Sequence, residues 1–61
     1  MAAKFELFTD KAGQTRFHLV AANGEVICAS QGYASKAGAV KGINSVKTNA
    51  ATAEIVDNTG N

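Results

Sequence analysis

Sixty-one residues, 46% of them hydrophobic and 18% charged, suffice for one small globular domain. Six Lys/Arg against five Asp/Glu leave a net charge of +1, which offers no electrostatic footprint for nucleic acid or an anionic membrane. The single cysteine, Cys28, and the single histidine, His18, rule out an internal disulfide and the four-ligand set of a structural zinc site.

No run approaches the ~20 apolar residues of a membrane span. Residues Met1 to Phe5 carry no basic segment followed by an apolar core, so no secretory signal is expected. A lone thiol without an export signal points to a reducing cytoplasm. A chain this short buries only about 60% of its unfolded surface, so self-association is the expected source of extra stability.

In chain order, Lys4 to Thr9 reads as a first strand, with Phe5 and Leu7 on one face and Lys4, Glu6 and Phe8 on the other. Asp10 and Gln14 close a three-residue loop, Lys11-Ala12-Gly13, with Gly13 at the position that wants a left-handed backbone. Thr15 to Ala22 and Glu25 to Gln31 read as the second and third strands. Asn23-Gly24 between them predicts a two-residue type I′ turn. That turn sets Ala21 opposite Val26, Leu19 opposite Cys28 and Phe17 opposite Ser30 on one face. The other face carries Val20 opposite Ile27, His18 opposite Ala29 and Arg16 opposite Gln31.

After Tyr33 the period changes. Ser35 is placed to cap a helix from Lys36 to about Asn49, with Ala39, Val40, Ile43 and Val46 in one stripe. Gly38 and Gly42 each cost ~1 kcal/mol relative to alanine in a helix, which suggests close approach to something flat. Thr52 to Asp57 alternates as a short last strand, and 58–61 reads as a flexible tail. One domain spans 1–61, with its ordered core at about 4–57.

The run Arg16-Phe17-x-Leu19-x-Ala21-x-Asn23-Gly24-Glu25-x-Ile27 is followed by Ser30-x-x-Tyr33-x-Ser35-Lys36 and by Gly42-Ile43-x-Ser45-Val46-Lys47-x-Asn49. Together these resemble the DUF1508 family, the UPF0339 group, over nearly the whole chain. The resemblance implies a β-β-β-α-β unit of the α+β class, which many relatives carry twice in tandem. For a chain with one unit it implies a homodimer imitating the tandem pair. It carries over no activity and no catalytic residues.

The residues themselves support no catalytic, metal or cofactor site. His18, beside Glu6, is the single acid–base candidate, yet no nucleophile or oxyanion donor accompanies it, so the expectation is a non-enzymatic protein. Cys28, opposite Leu19, is expected to be a small buried hydrophobe. Tyr33 is expected to close the end of the core with its hydroxyl wet. Arg16, Tyr33, Ser35 and Lys36 could together contact an anion or nucleic acid weakly, which is the alternative function; nucleic acid is the less favoured partner. The sheet face opposite the helix is too apolar to be solvated: Phe8, Val20, Ile27 and Ala29 form a patch of the kind that marks a partner surface. A homodimeric interaction module is therefore the first reading. Whether the last strand joins its own sheet or a partner's is left open by the sequence.

Overall fold

The computed structural model describes residues 2–60. Three antiparallel strands, β1 (Lys4–Thr9), β2 (Thr15–Val20) and β3 (Val26–Ala29), form a sheet in the order β1-β2-β3, and one helix, α1 (Lys36–Asn49), follows.

β1 and β2 pair in the expected register, with Phe5 opposite Leu19, Leu7 opposite Phe17 and Phe8 opposite Arg16. The Asp10 amide donates to the Gln14 carbonyl at 2.9 Å, and the Gly13 amide donates to the Asp10 carbonyl at 3.0 Å. Gly13 takes a φ of 83°, which a residue with a Cβ enters only under strain. The Asp10 side chain braces this loop: Oδ1 accepts from the amides of Ala12 and Gln14 at 2.9 Å each, and Oδ2 accepts from Arg16 Nε at 2.6 Å.

The second hairpin uses the same three-residue device instead of the expected two-residue turn. The Ala21 amide donates to the Glu25 carbonyl at 2.8 Å and the Gly24 amide to the Ala21 carbonyl at 2.9 Å, so the loop is Ala22-Asn23-Gly24. A type I′ turn needs positive φ at both central residues. Here Gly24 has a φ of 89°, whereas no non-glycine residue among those described has positive φ. Asn23 instead accepts from the Glu25 amide through Oδ1 at 3.1 Å.

The extra loop residue shifts the pairing by one, and a bulge at Ile27 takes the shift back: Val20 lies opposite Val26, but Leu19 opposite Cys28 and His18 opposite Ala29. Just beyond the bulge the expected pairs of Leu19 and His18 hold. Before it, Val26 changes face and sits beside Val20, 51% exposed, not under the helix. The regular strands are also shorter than expected, ending at Val20 and at Ala29. Ser30 Oγ accepts the Phe17 amide at 2.9 Å, and the backbone then pairs Thr15 with Tyr33, displacing the expected Arg16–Gln31 pair.

Ser35 caps α1 as expected, its Oγ accepting from the Gly38 amide at 3.1 Å. The core lies between α1 and β2, where Phe17 is 4% exposed, Ala39 0% and Ile43 9%. The Tyr33 ring stacks on Phe17 at 6.1 Å, and Phe5 meets Phe17 edge-on at 5.8 Å. Gly42 rests against the Tyr33 hydroxyl, so the flat object that the helix glycines approach is this ring.

A helix is about 10 Å wide and strands lie ~4.8 Å apart, so one helix covers about two strands. α1 packs chiefly on the central strand β2, and three departures from expectation accompany that narrow seat. Val40 is exposed although it was assigned to the apolar stripe, Leu7 is 39% exposed, and all four residues of β3 are exposed. The expected strand at Thr52–Asp57 is not formed within the chain. This segment has no sheet edge beside it, and Ile55 is 99% and Val56 68% exposed. Asp57 Oδ1 closes a local turn with the Thr59 amide at 2.9 Å; Asn61, the end of the expected tail, lies outside the described residues. Among the described residues no helix is long and apolar enough to cross a membrane.

Candidate functional site

β3 is the element with the least cover. Its sequence, Val26-Ile27-Cys28-Ala29, holds no charge, yet every residue is exposed, with Ile27 57% exposed. It is also an edge strand, so one side presents unpaired backbone groups. Natural edge strands are usually protected by charge, proline or a covering element. The bulge at Ile27 is the one protective feature present here. Cys28, expected to be buried, is a free and exposed thiol, because α1 packs chiefly on β2.

Of the four residues assigned to the patch, three stand open. Ile27 and Ala29 are exposed on β3, and Phe8 on β1 is 37% exposed, its ring lying 4.6 Å from that of His18. Val20 departs from the expectation: it is 5% exposed. As the central-strand member of the face it is flanked by Lys4 and Val26, its register partners on either side. Val20 lines an open depression of about 570 Å³ together with Lys4, Glu6, Ala21 and Gly24. Lys4 and Glu6 pair there at 3.2 Å, with both side chains more than half exposed; such a pair contributes little.

Three of the four residues considered for an anion are engaged in holding the fold. Arg16 donates to Asp10 and, through Nη1, to the Ser30 carbonyl at 3.3 Å. The Tyr33 ring is half-buried under α1, so its hydroxyl meets Gly42 where solvent was expected. Ser35 Oγ is committed to the cap. Lys36, the first residue of the helix, is exposed beside a shallow depression with Leu7, Phe8 and Thr15. These side chains do not converge on a common point. His18 lies opposite Glu6 in the β1–β2 ladder, its ring tilted at 45° to that of Phe8. Among the described residues no three His, Cys, Asp or Glu side chains gather as a metal site would need.

The Asp10 carboxyl is the perturbed acid of this region. The Arg16 guanidinium bonded to it, with the Gln14 and Ala12 amides, holds it below the usual carboxylate range.

The family described as domain of unknown function (DUF1508) matches residues 10–57 of this chain. The chain belongs to the DUF1508 family. A UPF0339 protein of Treponema denticola is 51% identical to this DUF1508 domain over 57 residues, covering 93% of the chain and 98% of the relative. One from Methanosarcina acetivorans is 52% identical over 54 residues, covering 88% and 93%. The UPF0339 protein YegP of Shigella flexneri is 53% identical over 49 residues, but there the match spans 80% of this chain and only 44% of the longer relative. Among solved structures, the fold matches an NMR solution structure of a Haloferax volcanii protein with a TM-score of 0.85, 44% identity and coverage of 92% and 95%. It also matches protein ATU0232 of Agrobacterium tumefaciens with a TM-score of 0.80, 48% identity and coverage of 95% and 94%. This DUF1508 domain is thus an α+β unit of three antiparallel strands and a helix, in a family of unknown function.

Proposed function

We propose that this DUF1508 domain is a non-enzymatic, cytoplasmic interaction module that works as a homodimer, each protomer laying its segment 53–57 along the β3 edge of the other. The observation that carries the reading is the exposure of Ile55, 99%, in a segment that alternates like a strand and yet lies on no sheet. The Cα radius of gyration is 13.3 Å, whereas a compact chain of this length has about 10.5 Å. A strand-like segment without an edge and an apolar edge without a strand are complementary, and symmetric exchange between two copies satisfies both. In that arrangement Ala53 and Ile55 cover the uncovered helix side of β3 near Cys28. Val56 adds to the patch of Val26 and Ala29 on the other side.

The longer relatives lend support, since the match spans 44% of YegP and leaves room for a second unit of similar size on one chain. Light scattering at micromolar concentration tests the proposal. The native chain should give twice the mass of one chain and Ile55→Asp the mass of one. A native chain that stays folded at the mass of a single chain overturns it.

A further inference from the structure

We propose that Asn23 is a site of spontaneous succinimide formation, and that its conversion to isoaspartate frees β3 from the sheet. The observation is chemical and local, and it is independent of self-association. Asn23 and Gly24 are both exposed, and a Cβ added at Gly24 would meet nothing within 4 Å, so the tip of the loop stands in open space.

In the reaction the deprotonated Gly24 nitrogen attacks Asn23 Cγ, the Cγ–Nδ2 bond breaks, and ammonia leaves. The five-membered imide then takes up one water. Opening at the main-chain carbonyl leaves Gly24 joined to Cγ, an isoaspartyl link; opening at Cγ leaves aspartate. Overall one water enters and one ammonia departs, with no change of oxidation state.

The loop's own hydrogen bonds oppose the first step. The Gly24 amide proton is given to the Ala21 carbonyl at 2.9 Å, and Asn23 Oδ1 is held by the Glu25 amide at 3.1 Å. Both must release before the nitrogen reaches Cγ, so the reaction runs through an opened loop. The other described asparagines are worse placed. Asn44 and Asn49 sit in α1, where the following amide is committed to the helix, and Asn49 Nδ2 donates to the Ser45 carbonyl at 2.8 Å. Asn58 precedes the β-branched Thr59, whose amide is bonded to Asp57.

An isoaspartyl link runs the main chain through the former side chain and adds a methylene to it. The loop is closed by backbone bonds from Gly24 to Ala21 and from Ala21 to Glu25. A lengthened Asn23–Gly24 step cannot keep both bonds, and β3 loses the register that the loop sets.

The test is incubation of the full chain at mildly alkaline pH, native and in urea, followed by peptide mapping and amide hydrogen exchange. Asn23 should convert ahead of Asn44, Asn49 and Asn58 in both conditions, and about tenfold or more slowly in the native chain. Converted chains should lose exchange protection at the Ala21 and Ser30 amides while β1–β2 keeps its own. Asn23→Ser, whose hydroxyl can still accept the Glu25 amide, should keep that protection through the same incubation. Earlier conversion elsewhere in the native chain would overturn the proposal. So would conversion as fast natively as in urea, an unconverted Asn23 when the urea sample is complete, or full β3 protection after conversion.

Discussion

Gly38 and Gly42 lie one helical turn apart on α1 and read alike in sequence, but their surroundings differ. A Cβ at Gly42 would run into the Tyr33 hydroxyl and lie 2.8 Å from its Cζ. A Cβ at Gly38 would meet Ser35 Oγ at 3.4 Å and Tyr33 Cδ1 at 3.7 Å, which are ordinary contacts. Replacing a helical glycine by alanine gains ~1 kcal/mol of propensity, whereas overpacking costs about 1–3 kcal/mol. Gly38→Ala should therefore stabilise the fold by up to ~1 kcal/mol. Gly42→Ala should destabilise it by about 1 kcal/mol, because the ring must leave its stack on Phe17. Urea midpoints of the two variants measure this; a shift of the same sign in both contradicts it. The helix glycines suggest close approach to something flat; the structure shows that approach at Gly42 alone and identifies the neighbour as Tyr33. The ring's position depends on the Thr15–Tyr33 bridge, which lies beyond the regular ladder.

Among the elements, the two hairpins show where the sequence is informative and where it is ambiguous. At the first, the apolar pairs Phe5–Leu19 and Leu7–Phe17 require a loop of three residues, and Gly13 stands at its third place. At the second, Asn-Gly fits a two-residue turn, but it fits equally the last two places of a three-residue loop. The backbone takes the latter and bulges at Ile27. The misreading therefore stays local: Val26 changes face, while the pairs of Leu19 and His18 stand. The first loop also has a brace that the second lacks, the Asp10 carboxylate bonded to Arg16. Its folded pKa lies below the unfolded value near 3.9, so it contributes stability above that pH and loses it as pH falls through the folded value. Asp10→Asn keeps a side-chain oxygen acceptor without the charge. Its stability deficit relative to the native chain should be largest near neutrality and shrink as the solution is acidified below pH ~4. Thermal melts across the acid range measure it, and a deficit that does not change with pH contradicts the assignment.

At the scale of the whole molecule, the fold class, the helix and its cap, and the central strand follow from periodicity and turn chemistry. What the chain leaves unpaired follows from dimensions that no local pattern states. One helix is too narrow for three strands, so β3 and its Cys28 stay open. A segment with strand periodicity forms a strand only where an edge receives it, so Thr52–Asp57 remains single. In the proposed exchange between two copies these two features meet, and Cys28 supplies a natural probe of the joint. Neighbouring strands bring opposed Cα atoms to ~4.5–5.5 Å, within the range a disulfide spans. The most direct measurement is therefore mild oxidation of I55C, followed by mass spectrometry of the linked peptides. The expected product is a covalent dimer in which the introduced thiol is joined to the partner's Cys28. Linkage to Cys28 within one chain, or no linkage to Cys28 at all, would contradict it.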